Sequence, residues 1–220
     1  MRKKNILAVL TGDVVNSRII KDKTQWLERL KEILHFLSQE EQQPLKWEVY
    51  RGDSFQVEWQ QPEHVLRAAL LIRSGLRALP EFYKQGADVR IAIGIGQAGH
   101  ETNSVRESDG EAYQLSGLTL DQLNESGQKI KISTAWEALN ESMAASLPLV
   151  ETLMNDWSQP INEIAYYRMM HPEMTQKELA EQLSLTQPTI NWRLAKSHIE
   201  LILNFESYFR NQLKALCHAE

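Results

Sequence analysis

Lys46-Trp-Glu-Val-Tyr-Arg-Gly-Asp-Ser-Phe-Gln-Val-Glu-Trp59 is the stretch on which the fold turns. Lys46–Tyr50 and Ser54–Trp59 are rich in aromatic and β-branched residues. Only Arg51-Gly52-Asp53 separates them, so the pair reads as a β-hairpin. Upstream, residues 5–11 read as a buried strand. Residues 24–38 follow with Trp26, Leu30, Ile33, Leu34 and Leu37 on one helical face. Downstream, Pro62–Leu79 repeats a helical face through Val65, Ala69, Ile72 and Leu76, and Pro80 closes it. Asp88–Gly96 alternates as a strand and runs into glycine. A polar loop, His100–Ser108, leads to a helix over Asp109–Glu125 and a last strand over Lys129–Ser133. The order β-α-β-β-α-β-α-β is that of split βαβ units. It predicts an α+β fold built on a ferredoxin-like antiparallel sheet with helices on one face.

Composition sets the outer bounds. In 220 residues, 42% are apolar and 24% charged, enough to bury a core and too ordinary for disorder or a fibrous repeat. The apolar run Ile6–Leu10 is too short to span a membrane, and no cleavage-type segment follows Arg2-Lys3-Lys4. A cytoplasmic protein without a membrane partner is expected. The single Cys217 excludes an internal disulfide framework and a cysteine-based zinc site. The six histidines show no metal-ligand spacing. A net charge of −5 offers no global field for nucleic acid, so DNA binding would need a local surface.

From Thr134 onward the patterns are helical, with Pro148, Pro160, Pro172 and Pro188 as punctuation. The boundary between a domain over residues 1–150 and a helical domain over 151–220 is expected near residue 150. Within the second part, Thr175 to Leu194 carries a sharp signal. Thr175 and Glu178 form a capping box. Ser184-Leu185-Thr186 is a short turn, Thr186 is the next N-cap, and Pro188 sits in the first turn after it. The spacing resembles the helix-turn-helix of bacterial sigma-factor region 4, with Ser184 where glycine is usual. The second helix would then enter the major groove of DNA. Gln187, Thr189, Asn191 and Trp192 would face bases, with Arg193 and Lys196 nearer phosphates. The alternative is a helical hairpin that only packs. Residues 151–220 hold six basic and nine acidic side chains, net −3, a thin footprint for DNA. Leu201, Ile202, Phe205, Tyr208, Phe209, Leu213 and Leu216 form a broad apolar stripe, which either packs on its own chain or joins a homodimer.

Asp13 ends the first strand in Leu10-Thr-Gly-Asp-Val-Val-Asn-Ser-Arg18, and Asp53 sits at the hairpin tip. In a βαββαβ sheet these neighbours converge at one end, where two carboxylates suit Mg²⁺ or Mn²⁺ held with a triphosphate. The local alternative is that Asp13 caps a turn and Gly52-Asp53 simply makes one. Ser17 and Arg18, in the following loop, and Arg51, in the hairpin, are candidate ligand-binding residues, and Arg90 is another phosphate partner. Glu111 is a third carboxylate expected near this end, read chiefly as a first-turn helix residue.

Thr11–Ser17, Gly52-Asp53, Arg90–Gly96 and Asp109–Gln114 together resemble the palm domain of class III nucleotide cyclases and diguanylate cyclases. With the C-terminal segment appended, the chain resembles the SatD family over nearly its whole length. That resemblance implies metal roles for Asp13 and Asp53. It also marks departures. Gln114 and Leu118 stand where active cyclases carry Asn and Arg, Val49 where they carry a base-selecting Lys, and Ser54 where diguanylate cyclases carry Glu. Without a transition-state cation, binding is expected rather than turnover, and no residue is assigned a catalytic role. The expectation is therefore a DNA-binding transcriptional regulator whose cyclase-like domain binds a nucleotide or other phosphorylated ligand. The alternatives are a divergent metal-dependent nucleotidyl cyclase or transferase, and a protein–protein adaptor.

Overall fold

The computed structural model describes residues 5–20, 22–50, 52–99 and 110–219. Among them the chain runs β1 (Ile6–Val15), α1 (Lys23–Glu40), β2 (Lys46–Tyr50), β3 (Ser54–Trp59), a 3-10 turn at Pro62–His64, α2 (Val65–Arg77), α3 (Pro80–Lys84), β4 (Asp88–Gln97), α4 (Glu111–Ser126) and β5 (Ile130–Thr134). The helices α5 (Glu137–Asn155), α6 (Gln159–Met170), α7 (Gln176–Gln182), α8 (Gln187–Ser197) and α9 (Ile199–Ala219) follow. The fold is α+β, with one five-stranded sheet in the order β2-β3-β1-β4-β5.

The first four strands pair antiparallel in the split βαβ order. The sheet is not antiparallel throughout, because β5 runs parallel to β4. Chain direction requires this: α4 carries the chain back across the sheet before β5 begins. The helices are also not confined to one face. Ala8, Leu10 and Val14 of β1 join the core cluster with α1 and α2, whereas Leu7 and Val9 pack against Ala112 of α4. Glycine makes the second contact possible. A Cβ on Gly94 would lie 2.1 Å from the Ala112 carbonyl oxygen and 2.4 Å from the Ser116 nitrogen.

Other departures from the sequence pattern are local. Pro80 starts a second short helix rather than only ending the first. Pro148 lies inside α5 instead of punctuating the chain. The loop expected at 100–108 and the helix start at Asp109 fall outside the described residues. The boundary expected near 150 falls within α5, and one apolar cluster continues from β1 through Met154, Tyr166 and Ile202 to Leu213.

α2 is buried on every face except at Arg67, because the sheet covers one side and the C-terminal helices the other. It therefore carries two buried arginines that need internal partners. Arg73, with no exposed surface, donates to both oxygens of Asp88 at 3.1 and 2.9 Å and to Asn155 of α5. Arg77 donates to the Met154 and Trp157 carbonyls at 3.1 and 3.2 Å. At the outer edge of β5, Glu151 accepts from the Lys129 and Ile130 N–H groups at 2.8 and 3.2 Å. The Asn140 amide accepts from Thr134 N–H at 2.8 Å and donates to its carbonyl at 2.9 Å.

Burial pushes the Asp88 carboxyl up, but the Arg73 hydrogen bonds and the charges of Arg73 and Arg77 outweigh that and hold it below the usual range. A depressed carboxylate stabilises the fold above its unfolded pKa, and the gain is lost as pH falls through the folded value. Asp88→Ala is expected to cost about 3–5 kcal/mol in chemical denaturation at neutral pH, because Arg73 is left charged and buried. The deficit relative to wild type should shrink as the pH drops below about 4.

Candidate functional site

Asp13 lies near the end of β1, paired in register with Ser54 of β3 on one side and Arg90 of β4 on the other. Its neighbour Gly12 stands opposite Phe55, whose ring atoms would lie 2.2–2.7 Å from any Cβ added there. Gly12 is thus the seat for an aromatic ring, and the carboxylate follows at the first position beyond it. Gly52 has φ of +77° and makes the tight reversal that precedes Asp53. The Asp53 carbonyl accepts from Val14 N–H at 2.9 Å, which ties the hairpin tip to β1.

Both carboxylates are held. Ser54 Oγ donates to Asp13 Oδ1 at 3.1 Å, and Arg90 Nη1 lies 3.3 Å from Asp13 Oδ2. Arg90 is anchored from behind by Asn124 of α4 at 2.7 Å. Ser17 Oγ donates to Asp53 Oδ2 at 2.6 Å, and Asn16 adopts φ of +61° to turn the chain there. Burial raises the Asp13 pKa above its ordinary value. The Asp53 charge raises it further, and Ser54 and Arg90 oppose the rise.

The C-terminal helices form a second feature. α7 begins with the full capping box, in which Thr175 Oγ1 accepts from Glu178 N–H and the Glu178 carboxylate accepts from Thr175 N–H. Four residues connect α7 to α8, with Ser184 at φ of +53°. Ile164, Leu179, Ala180 and Ile190 bury a small core shared by α6, α7 and α8. Gln187, Asn191, Trp192 and Lys196 are exposed on α8. Thr189 is half-buried and hydrogen-bonded to Thr186, and Arg193 is half-buried with its guanidinium 3.7 Å from Glu163.

The model of the SatD family matches residues 6–216. The chain belongs to the SatD family. No curated protein matches it. A solved structure titled as that of a bacterial light-regulated adenylyl cyclase is similar at 12% identity and a TM-score of 0.39, over 58% of this chain and 75% of that one.

In this SatD-family chain the structure brings together Asp13, Asp53 and Ser17 of the expected site. Arg18 is exposed beside them, and Arg51 lies outside the described residues. Arg90 is not a free phosphate partner, because Asp13 and Asn124 hold it. Glu111 is not near this end. It accepts from Gln97 N–H at 3.0 Å, seven positions along β4 from Arg90, roughly 23 Å at the usual strand rise. The N-terminal end of α4 therefore sits far from the carboxylates, and its C-terminal end supplies Asn124. Sequence reasoning missed Asn124 because nothing in Leu123-Asn124-Glu125 marks which end of α4 meets the site.

Among the described residues no three His, Cys, Asp or Glu side chains cluster as a ready-made metal cage. The donors present still fit Mg²⁺ or Mn²⁺. Two hard carboxylates lie near enough for the Asp53 charge to act on Asp13, and such ions complete their shells with water and phosphate oxygens. Asp13 and Asp53 would hold the ion, which would have to draw Asp13 Oδ2 away from Arg90. The raised Asp13 pKa means that its ionisation opposes folding as pH rises through the folded value. Asp13→Asn is therefore expected to leave the melting temperature without added metal unlowered at neutral pH. The same substitution should abolish most of any rise produced by Mn²⁺ with ATP. Differential scanning fluorimetry of both proteins checks this.

Proposed function

We propose that the protein is a DNA-binding regulator whose sheet-end carboxylates take a divalent cation together with a phosphorylated ligand. In this reading α7 and α8 form a helix-turn-helix, and α8 enters the major groove. The observation that carries the reading is the exposed pair Gln187 and Asn191, one helical turn apart. Neither side chain has a hydrogen-bond partner among the described residues, and both amides can pair bidentately with adenine. The turn at Ser184 and the small apolar core beneath it hold α8 in fixed relation to α7. Phosphate contact falls to Lys196, since Arg193 is drawn toward Glu163. Affinity for DNA should accordingly be modest and strongly salt-dependent.

A second copy supports this use of α8. On α9, Ile202, Phe209 and Leu213 are buried against the chain's own helices, whereas Leu201 is 60% and Tyr208 47% exposed, with Phe205 half-buried between them. These three residues form an outward stripe at i, i+4 and i+7, suited to pairing two protomers over two half-sites.

One observation favours a metal-dependent nucleotidyl transferase instead. Arg90 places a cation beside the carboxylates even though Gln114 and Leu118 supply none. Its guanidinium is bound by Asp13 and Asn124, so the binding reading stands first. Accumulation of a nucleotide product from ATP or GTP with Mn²⁺ would reverse that order.

Asn191→Ala or Gln187→Ala is expected to lose roughly 1–3 kcal/mol of base discrimination without loss of fold. Lys196→Ala should weaken binding to every sequence and flatten the salt slope. Fluorescence anisotropy with labelled duplexes at several salt concentrations measures both, and absence of salt-dependent affinity at low ionic strength removes the regulator reading. Light scattering at micromolar concentration should find a dimer that Leu201→Glu converts to monomer.

A further inference from the structure

A groove of about 400 Å³ lies where the corner between α5 and α6 meets the end of α8, away from the carboxylates. Its floor is apolar, made by Leu153, Trp157 and Ile161. The two sides are already fastened together. Trp157, 2% exposed, donates its indole N–H to the Ser197 carbonyl at 2.9 Å, which ties the corner to the last residue of α8. The volume falls within the range of small-molecule sites, and a hollow formed in advance spares a ligand the cost of ordering it.

Trp192 stands at the groove and is 59% exposed. It lies one turn before Lys196 on α8. At about 100° per residue, these two stand roughly 140° around the helix from Gln187 and Asn191. The indole is therefore turned away from the amides that would read bases. A large ring left in water favours a flat partner that can stack on it.

The polar groups of the groove are accessible and unpaired. Lys196 and His198 on the α8 side, and Asp156 and Ser158 on the corner, are all exposed. Among the described residues none of these four side chains forms a hydrogen bond or an ion pair, and the Ser158 hydroxyl leaves the start of α6 uncapped. Together they set the charge of an occupant. One carboxylate suits the Lys196 ammonium, with His198 as a second donor. A phosphate dianion would be repelled by Asp156, and a simple amine by Lys196. Asp156 and Ser158 are instead acceptors for a neutral N–H.

We propose that this groove binds a fused-ring aromatic monocarboxylate that carries a ring N–H, the chemistry of an indole carboxylate. The ring stacks on Trp192 above Leu153 and Ile161. The carboxylate accepts from Lys196, and the ring N–H donates to Asp156 or Ser158. A molecule held there bridges the α5–α6 corner and α8.

Lys196 also serves the DNA reading, so the test uses the full chain without DNA or metal. Indole-3-carboxylate is titrated by calorimetry and thermal shift, beside indole-3-carboxamide, 1-methylindole-3-carboxylate and cyclohexanecarboxylate. The indole carboxylate should bind and raise the melting temperature. Removing its charge should weaken binding by at least about tenfold, the loss of one charged contact. Blocking the ring N–H should also weaken it, and the ring without a flat face should not bind measurably. Lys196→Gln should erase the preference for carboxylate over carboxamide, and Trp192→Ala should weaken every ring ligand. Both side chains are exposed, so each variant should melt with wild type when no ligand is present. Equal binding of the carboxylate and the carboxamide to wild type would overturn the proposal. So would undiminished binding to Trp192→Ala, or the absence of heat and thermal shift with indole-3-carboxylate.

Discussion

Arg73 has no surface in contact with solvent, and its charge must be answered inside the protein. Asp88 answers it from the start of β4, and Asn155 from the end of α5. One guanidinium thereby fixes three elements that are far apart in sequence: the central helix, the strand that carries Arg90, and the helix that leads into the C-terminal third. Such an ion pair contributes little net stability over a hydrophobic substitute, because both charges have been taken out of water. What it contributes here is geometry. With α2 locked between β4 and α5, α6 closes on Gly75 through Tyr166, and α9 closes over α2 in turn.

The opposite face of the sheet depends on an absence of side chain. Gly94 lets the backbone of α4 come within touching distance of β4, and Thr11 Oγ1 then meets Ser116 Oγ at 2.6 Å. This seating sets the direction of α4 and delivers Asn124, rather than its N-terminal residues, to Arg90. The carboxylate pair is consequently guarded by a cation held on two sides. On the proposed reading, a ligand there would have to compete with Arg90 for Asp13.

Much of the fold was legible because its signals are local. The hairpin around Gly52, the helical faces of α1 and α2, and the capping box at Thr175 depend on residues a few positions apart. The meeting of Asp13 and Asp53 at one sheet end followed from strand order. What the sequence hid depends on direction and on cross-chain partners. The parallel pairing of β5, the second helical layer and the remote position of Glu111 follow from how closely α4 packs, which a single glycine decides. Pro148 reads as a helix stop, yet packing of Met143, Leu147, Val150 and Met154 on the same face carries α5 through it. Glu163 gives no local hint that it lies beside Arg193, since thirty positions and the whole of α7 separate them.

The outer edge of β5 has a consequence for the protein in a crowded solution. A bare edge strand is a template on which another chain can add itself, and long runs of such additions end in fibrils. Here the backbone groups at both ends of the strand are already occupied, by the Glu151 carboxylate and the Asn140 amide, so an incoming strand would find little more than Ile132 to pair with. On this side the sheet is finished by side chains acting as stoppers. Strand addition at this edge is thereby disfavoured, and growth of the sheet beyond β5 stops within the chain itself.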